Sequence, residues 1–254
     1  LLIAGSAGKM GAAVMAARGS IRSGVGLLTC YLPDDQNFIL QVAVPEAMTI
    51  PALSNTTLYD SISSLLSYEA VAIGPGFGTG LQQENLLKEL FSSYRNPIVI
   101  DADGLTIIAR DKSLLKKIPP GSILTPHPGE FKRLFGETSD DFSRVELAIN
   151  MAATFNVVVV LKGHHTLIAT PQAPFFINTT GNPGMAKGGS GDVLTGVILG
   201  LLAQGYSSAE AAAIGVFLHG KAGDIAAEKS TSFGMTTSDL IDCLGLAWKE
   251  LITS

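Results

Sequence analysis

Repeated alternation is the strongest constraint on this chain. Short apolar runs ended by glycine or an acid alternate with longer stretches of helical period. Residues 1–4, 27–31, 70–73, 97–100, 122–124 and 157–161 read as strands. The last is a run of apolar, mostly β-branched residues, which marks a strand buried on both faces. Residues 11–23, 81–94, 131–135, 144–155, 208–228 and 237–253 read as helices. Strands joined through helices form parallel β-α units with right-handed crossovers. The expected fold is therefore α/β, with a mostly parallel central sheet and helices on both faces. The chain shows no repeat or linker, so residues 1–254 are read as one domain. In the remainder, 39–44 reads as a short strand, 45–57 as loop and 61–66 as a weak helix. Residues 167–169 and 175–177 read as a hairpin.

One stretch adds chemistry to this plan. Residues 182–205 read NPGMAKGGSGDVLTGVILGLLAQG. Val193, Leu194, Val197, Ile198, Leu201 and Leu202 share one helical face, and Gly205 stops the helix. The loop GGSGD thus lies at a helix N-terminus, where free N–H groups and the helix dipole favour an anion. Glycines let a ligand approach the backbone closely. Asp192 adds negative charge beside such an anion, which is explained if it takes a proton from a hydroxyl that attacks a phosphate.

Composition narrows the partners. Hydrophobic residues make up 46% and charged residues 15%, which excludes a disordered chain. A net charge of −5 argues against nucleic acid or an anionic membrane as a partner. Cations for a phosphate must then be local, and Lys162 and Lys187 are the candidates. No apolar run reaches the roughly 18–20 residues of a membrane span. Cys30 and Cys243 lack metal-ligand spacing and read as buried free thiols in a reducing compartment. The chain opens inside a strand without Met, so an upstream segment is expected, and no signal peptide is read.

Other motifs are weaker taken singly. Gly5-Ser-Ala-Gly-Lys9-Met10 imitates a phosphate loop but has two residues between its glycines and no Ser or Thr after Lys9, so it reads as a tight strand-to-helix turn. Alanines 12, 13, 16 and 17 beyond it permit close approach of backbone or ligand. Gly74-Pro-Gly76-Phe-Gly78 lacks the dinucleotide fingerprint; it is either a plain turn or a ligand-facing one. Asp101-Ala-Asp103, after a strand, either binds a metal or caps the next helix. His127, held between two prolines, reads as a ligand contact, with Glu130 at the start of a helix. Lys162, at the end of a buried strand, can meet a phosphate. His219 reads as packing and Ser238-Asp239 as capping.

Taken together, AGSAGKMGAAVMAARGSIRSGVG, IGPGFG, DADGLT, LTPHPGEFKRL, VVVLKGHHT and GNPGMAKGGSGDVLTG resemble, in order and nearly end to end, the ADP- or ATP-dependent NAD(P)H-hydrate dehydratases of the ribokinase-like superfamily. DADGLT has Gly104 where alanine is usual. The resemblance implies a three-layer α/β/α fold. It also implies dehydration of the S epimer of C6-hydrated NADH or NADPH, with ADP or ATP as co-substrate and Mg²⁺ on the nucleotide. It assigns Asp192 as base. Lys162, Gly163, His164, His165, Thr166, Gly189, Ser190 and Gly191 fall on the nucleotide side, with no role given to the two histidine side chains. Ala12, Gly76, Gly78 and His127 join Asp192 on the hydrated-cofactor side. No direct metal ligand is assigned. A homo-oligomer such as a tetramer is expected from the small-residue helix faces, as is an epimerase, fused or separate. The expected compartment is the cytoplasm, or a mitochondrion or plastid in a eukaryote. The alternative is a vitamin or sugar kinase of the same superfamily.

Overall fold

The computed structural model describes residues 1–52, 67–172 and 174–253; the weak helix expected at 61–66 lies outside them. Seven strands run parallel: β1 (Leu2–Ile3), β2 (Thr29–Pro33), β3 (Met48–Ala52), β4 (Val71–Ile73), β5 (Ile98–Ile100), β6 (Ile123–Leu124) and β7 (Val158–Leu161). The hairpin expected next is present as β8 (Thr166–Ala169) and β9 (Phe176–Asn178), both antiparallel to their neighbours. The order across the described sheet is β3-β2-β1-β4-β5-β6-β7-β8-β9.

Side chains alternate along each strand, and this produces two cores. Leu2, Val99, Val158 and Val160 point to one face. There they meet α1 (Met10–Arg22), α2 (Asn37–Ala43), α7 (Ser190–Ala203), α8 (Ser208–Lys229) and α9 (Thr237–Thr253). Ile3, Ile98, Ile100, Val159 and Leu161 point to the other. That face is covered by α3 (Leu81–Ser93), α4 (Ala102–Arg110), α5 (Pro128–Phe135) and α6 (Asp141–Phe155). The result is the three-layer α/β/α architecture expected from the sequence.

The small residues of α1 and α7 are used inside the chain. An ideal Cβ at Gly196 would fall 1.9 Å from the Ala16 carbonyl oxygen, so only glycine lets these helices touch. Ala13, Ala16 and Ala17 are buried in the same seam. These faces therefore carry no argument for an oligomer. No helix among the described residues is long and apolar enough to cross a membrane.

Two local expectations are corrected. Residues 39–43 belong to α2 and Val44 is its C-cap, so this is not a strand: Leu40 and Val44, four apart, are buried, while Phe38 and Val42 face solvent. A short apolar run has too few residues for its period to separate the two. The stretch expected as loop contains β3, which pairs with β2 from Thr29↔Met48 to Pro33↔Ala52. Its Pro51 is tolerated because β3 lies at the edge of the described sheet. Capping of α9 comes from Thr236 with Asp239, whose carboxylate accepts from the Thr236 N–H at 2.7 Å.

Candidate active site

Strand order reverses at β1 and β4, and the helices that follow them, α1 and α3, go to opposite faces, which marks the strand C-termini here as the place for a crevice. The Gly5 N–H donates to the Pro75 carbonyl at 2.8 Å, and Ser6 Oγ donates to the Gly76 carbonyl at 2.7 Å. A cavity of about 370 Å³ opens there, with Lys9, Ala12, Gly76, Ala102, Asp103 and Asp192 in its wall. A second cavity, of about 540 Å³, is lined by His127, Lys162, Gly163, Thr166, Ser190, Gly191 and His219, with Met185, Leu194 and Val216 as apolar wall. The N-terminus of α7 stands between the two, with Gly191 on one wall and Asp192 on the other.

Gly189 caps α7 at φ 91°, a left-handed conformation that a glycine adopts without strain. No side chain caps this helix, so its N-terminal donors are left for a ligand. Of the three N–H groups expected to face a phosphate, that of Ser190 already donates to the Lys187 carbonyl at 3.3 Å. Asp224 on α8 fixes the start of the loop: its carboxylate accepts from the Gly181 N–H at 2.9 Å and from Asn182 Nδ2 at 3.0 Å. Thr237 Oγ1 holds the Gly188 carbonyl at 2.8 Å.

Burial pushes the Asp192 carboxyl up to about 7; Asp101, Asp103 and Glu130 add repulsion, and Lys162 opposes them. A carboxylate with that proton affinity is suited to accept a proton near neutral pH. Lys162 is largely but not fully buried, which works to lower its proton affinity. Asp101, Glu130 and Asp192 outweigh this and hold it above the usual lysine range. It therefore stays an ammonium, with Nζ 2.9 Å from Asp101 Oδ1 and 4.0 Å from Glu130 Oε2.

Asp101 stands at the N-cap of α4 but its side chain makes no cap hydrogen bond, and both Asp101 and Asp103 are engaged elsewhere. Asp101 accepts from Lys162 and, at 2.7 Å, from Thr195 Oγ1. Asp103 accepts from the Gly78 N–H at 2.8 Å and from Lys9 Nζ at 3.2 Å. The His127–Glu130 pair is a capping box for α5: His127 Nδ1 accepts from the Gly129 N–H at 3.0 Å, and Glu130 Oε2 accepts from the His127 N–H at 2.9 Å. The described residues contain no cluster of three or more His, Cys, Asp or Glu that could hold a metal ion. Lys187, the other candidate cation, also lines the larger cavity, and its ammonium donates to the carbonyls of Phe233 and Met235, which ties the glycine loop to the segment before α9.

The structure thus divides the expected site residues between two cavities. Ala12, Gly76 and Asp192 share the smaller one. Lys162, Gly163, Thr166, Ser190 and Gly191 share the larger. His127, expected on the hydrated-cofactor side, lines the larger cavity, and its Nδ1 is turned onto the α5 N-terminus. Gly78 is not among the wall residues of either cavity; its N–H holds Asp103 instead. His164 and His165 are exposed and sit edge to face, with centroids 4.4 Å apart. His219, expected to be simple packing, lines the larger cavity, and its Nε2–H donates to the Ser190 carbonyl at 2.9 Å. Burial drives its pKa down to about 4, so the ring is neutral. The available signal was a lone histidine in the Ala- and Gly-rich run 211–223, where a polar ring needs a partner.

Known proteins resemble this chain in sequence and fold. A family model described as NAD(P)H-hydrate dehydratase matches residues 1–245. The ADP-dependent (S)-NAD(P)H-hydrate dehydratase of Neisseria meningitidis serogroup B is 37% identical over 235 residues, which cover 90% of this chain and 77% of that one. The bifunctional NAD(P)H-hydrate repair enzyme Nnr of Moorella thermoacetica is 40% identical over 260 residues, covering 99% of this chain and 49% of that one. The chain spans about half the length of such bifunctional relatives. Among solved structures, the ADP/ATP-dependent NAD(P)H-hydrate dehydratase of Bacillus subtilis, co-crystallised with ATP/Mg²⁺, superposes with a TM-score of 0.82 at 32% identity. That match covers 98% of this chain and 88% of that one. A hydroxyethylthiazole kinase from Pyrococcus horikoshii OT3, at 19% identity and a TM-score of 0.66, shares the fold alone. By the extent of the family match and by these relatives, the chain belongs to the NAD(P)H-hydrate dehydratase family.

Proposed function

We propose that the chain dehydrates the S epimer of C6-hydrated NADH or NADPH at the expense of ADP or ATP. One observation carries this reading: Asp192 lines one cavity while Ser190 and Gly191, one helical step earlier, line the other. A hydroxyl held in the smaller cavity meets a phosphoryl group held in the larger one across the N-terminus of α7.

In this reaction Asp192 accepts the proton of the C6 hydroxyl as its oxygen bonds to the terminal phosphorus. The bond from that phosphorus to the departing AMP, or to ADP when ATP is used, breaks in the same transfer. Lys162 and the free N–H groups of the glycine loop meet the charge that develops on the phosphoryl oxygens. The C6–O bond then breaks, phosphate leaves with the bonding electrons, and loss of a proton from C5 restores the ring double bond. Phosphate is a better leaving group than hydroxide, which is why a nucleotide is consumed. His219 and Asp224 act at a distance, by fixing the Ser190 carbonyl and the start of the loop.

Mg²⁺ is proposed only as the companion of the nucleotide phosphates. The nearby carboxylates Asp101 and Glu130 are engaged by Lys162, Thr195 and the His127 N–H, and the described residues do not build a metal cage. No step is assigned to the ion. Residues 1–254 are proposed as one dehydratase domain, working beside an epimerase that is fused or separate. The test is incubation with hydrated NADH and either nucleotide, reading recovery of the reduced-nicotinamide absorbance. No recovery with either nucleotide by folded protein refutes the proposal.

A further inference from the structure

Asp101 has no place in the chemistry above, yet its position is enforced from several sides. Its side chain is only 2% exposed at the end of β5. An ideal Cβ at Gly74 would fall 1.9 Å from its carbonyl oxygen, so the turn after β4 needs glycine to let Asp101 in. The next residue, Ala102, has φ 47°, a left-handed conformation disfavoured for a residue with a Cβ. Strain of this kind persists where surrounding structure over-determines it, and it clusters at functional sites. The N-cap position is wasted as a cap, because the carboxylate is turned to Lys162 on one oxygen and to Thr195 on the other. These partners lie 61 and 94 residues away in the chain. Both carboxylate oxygens are thus spent on parts of the phosphoryl site. An ideal Cβ at Gly191 would stand 3.2 Å from Lys162 Nζ and 3.8 Å from Asp101 Oδ2, so the ammonium and the carboxylate lie directly against the glycine loop.

We propose that Asp101 is a positioning residue for this reaction: its buried carboxylate locks the Lys162 ammonium and, through Thr195, the first turns of α7 into one frame against the transferred phosphoryl group. The inference rests on the function proposed above. It makes Asp101 the element that joins the end of β5, the end of β7 and α7. It also links Asp101 to the base by charge. The charged groups facing Asp192 are Asp101 from the end of β5, Asp103 from α4 with Lys9 paired to it, Glu130 from α5 and Lys162 from the end of β7. After burial itself, Asp101 does most to oppose ionisation of Asp192.

The test compares Asp101→Asn and Thr195→Val with the unmodified chain by steady-state kinetics across pH. Asp101→Asn lowers kcat by about 10²-fold with a much smaller change in nucleotide KM, as expected when alignment rather than binding is lost. It also moves the acid limb of the pH profile to lower pH by about one unit, because a negative charge near Asp192 is gone while Lys162 remains. Thr195→Val keeps both charges; it lowers kcat by roughly tenfold and leaves the limb in place. A folded Asp101→Asn with an unmoved limb and kcat within about threefold of the unmodified chain overturns the proposal. Should Asp101→Asn not fold, Thr195→Val decides, and kcat within about twofold overturns it. A carbon-13 titration of the Asp192 carboxylate in ligand-free protein reads the charge link without turnover. If Asp101→Asn lowers that titration while the unmodified chain fails on hydrated NADH, the charge link to Asp101 stands and the proposed reaction falls.

Discussion

Gly196→Ala perturbs the seam on which the site depends. The added Cβ would lie 1.9 Å from the Ala16 carbonyl oxygen, 2.8 Å from its carbon and 2.9 Å from the Ser20 nitrogen. These are backbone atoms of α1 and cannot rotate away. The first contact is more than 1 Å short of the 3.0 Å that real Cβ atoms keep, so α7 and α1 must separate by about that much. Overpacking of this kind costs about 1–3 kcal/mol or more. Alanine returns about 1 kcal/mol through helix propensity. The clash wins because it is with backbone on a fully buried face, and a net loss of about 2 kcal/mol is expected. At roughly 2–4 °C per kcal/mol for a chain of this size, Tm falls by about 4–8 °C. The same displacement moves Asp192, one turn N-terminal to Gly196, against the hydroxyl it serves. A shift of about 1 Å at a reacting group can cost roughly 10²-fold in rate. Thermal unfolding and kcat at a permissive temperature test both parts. A Tm within about 2 °C of the unmodified chain, with kcat within about threefold, refutes the reasoning.

Other expectations follow from the site. Asp192→Asn should bind nucleotide normally and lose at least ~10²-fold in turnover; near-normal turnover would remove Asp192 as the base. Because Asp192 must be ionised to accept a proton, kcat/KM should rise with pH through about 7, and a pH-independent profile from 5 to 8 would contradict the assignment. The stability effect has the opposite sign: the folded carboxyl is raised above its ordinary 3.8, so its contribution is present below that value and lost as pH rises through about 7. Asp192→Asn should therefore melt higher than the unmodified chain above pH 7, with the gap closing toward pH 4; a constant gap would argue against it. Burial raises the Cys30 thiol to about 12, so native protein should resist thiol labelling at pH 8 until unfolded, and prompt labelling of Cys30 would show that its strand is not closed.

The site was legible in parts, for identifiable reasons. The glycine loop and Asp192 could be read because helix start, helix period and stop lie within one stretch, and each is a local signal. Lys162 and His127 stand out from their neighbours in sequence, and Lys162 lines the same cavity as Gly163, Thr166, Ser190 and Gly191, with which it was grouped; that His127 joins them was not legible. The His127 ring is committed to the α5 N-terminus, a choice between ligand and cap that its own residues leave open. Lys187 lines the larger cavity, but its carbonyl partners, 46 and 48 residues away, are not visible from its own neighbours in sequence. His219 was hidden because its partner, Ser190, is brought to it by helix packing.

Sequence by itself determined most of the alternation of strand and helix and the glycine-rich start of α7 with its acid. These follow from steric rules and from periods of two and 3.6 residues, which act over a few positions. Tertiary structure alone decided that β1 lies between β2 and β4, that β3 is a strand, and that Asp101, Lys162 and Thr195 converge. Those outcomes depend on which strands pair and how closely α1 and α7 approach. They are set by burial of two cores at once, a property of the whole chain that no short stretch encodes.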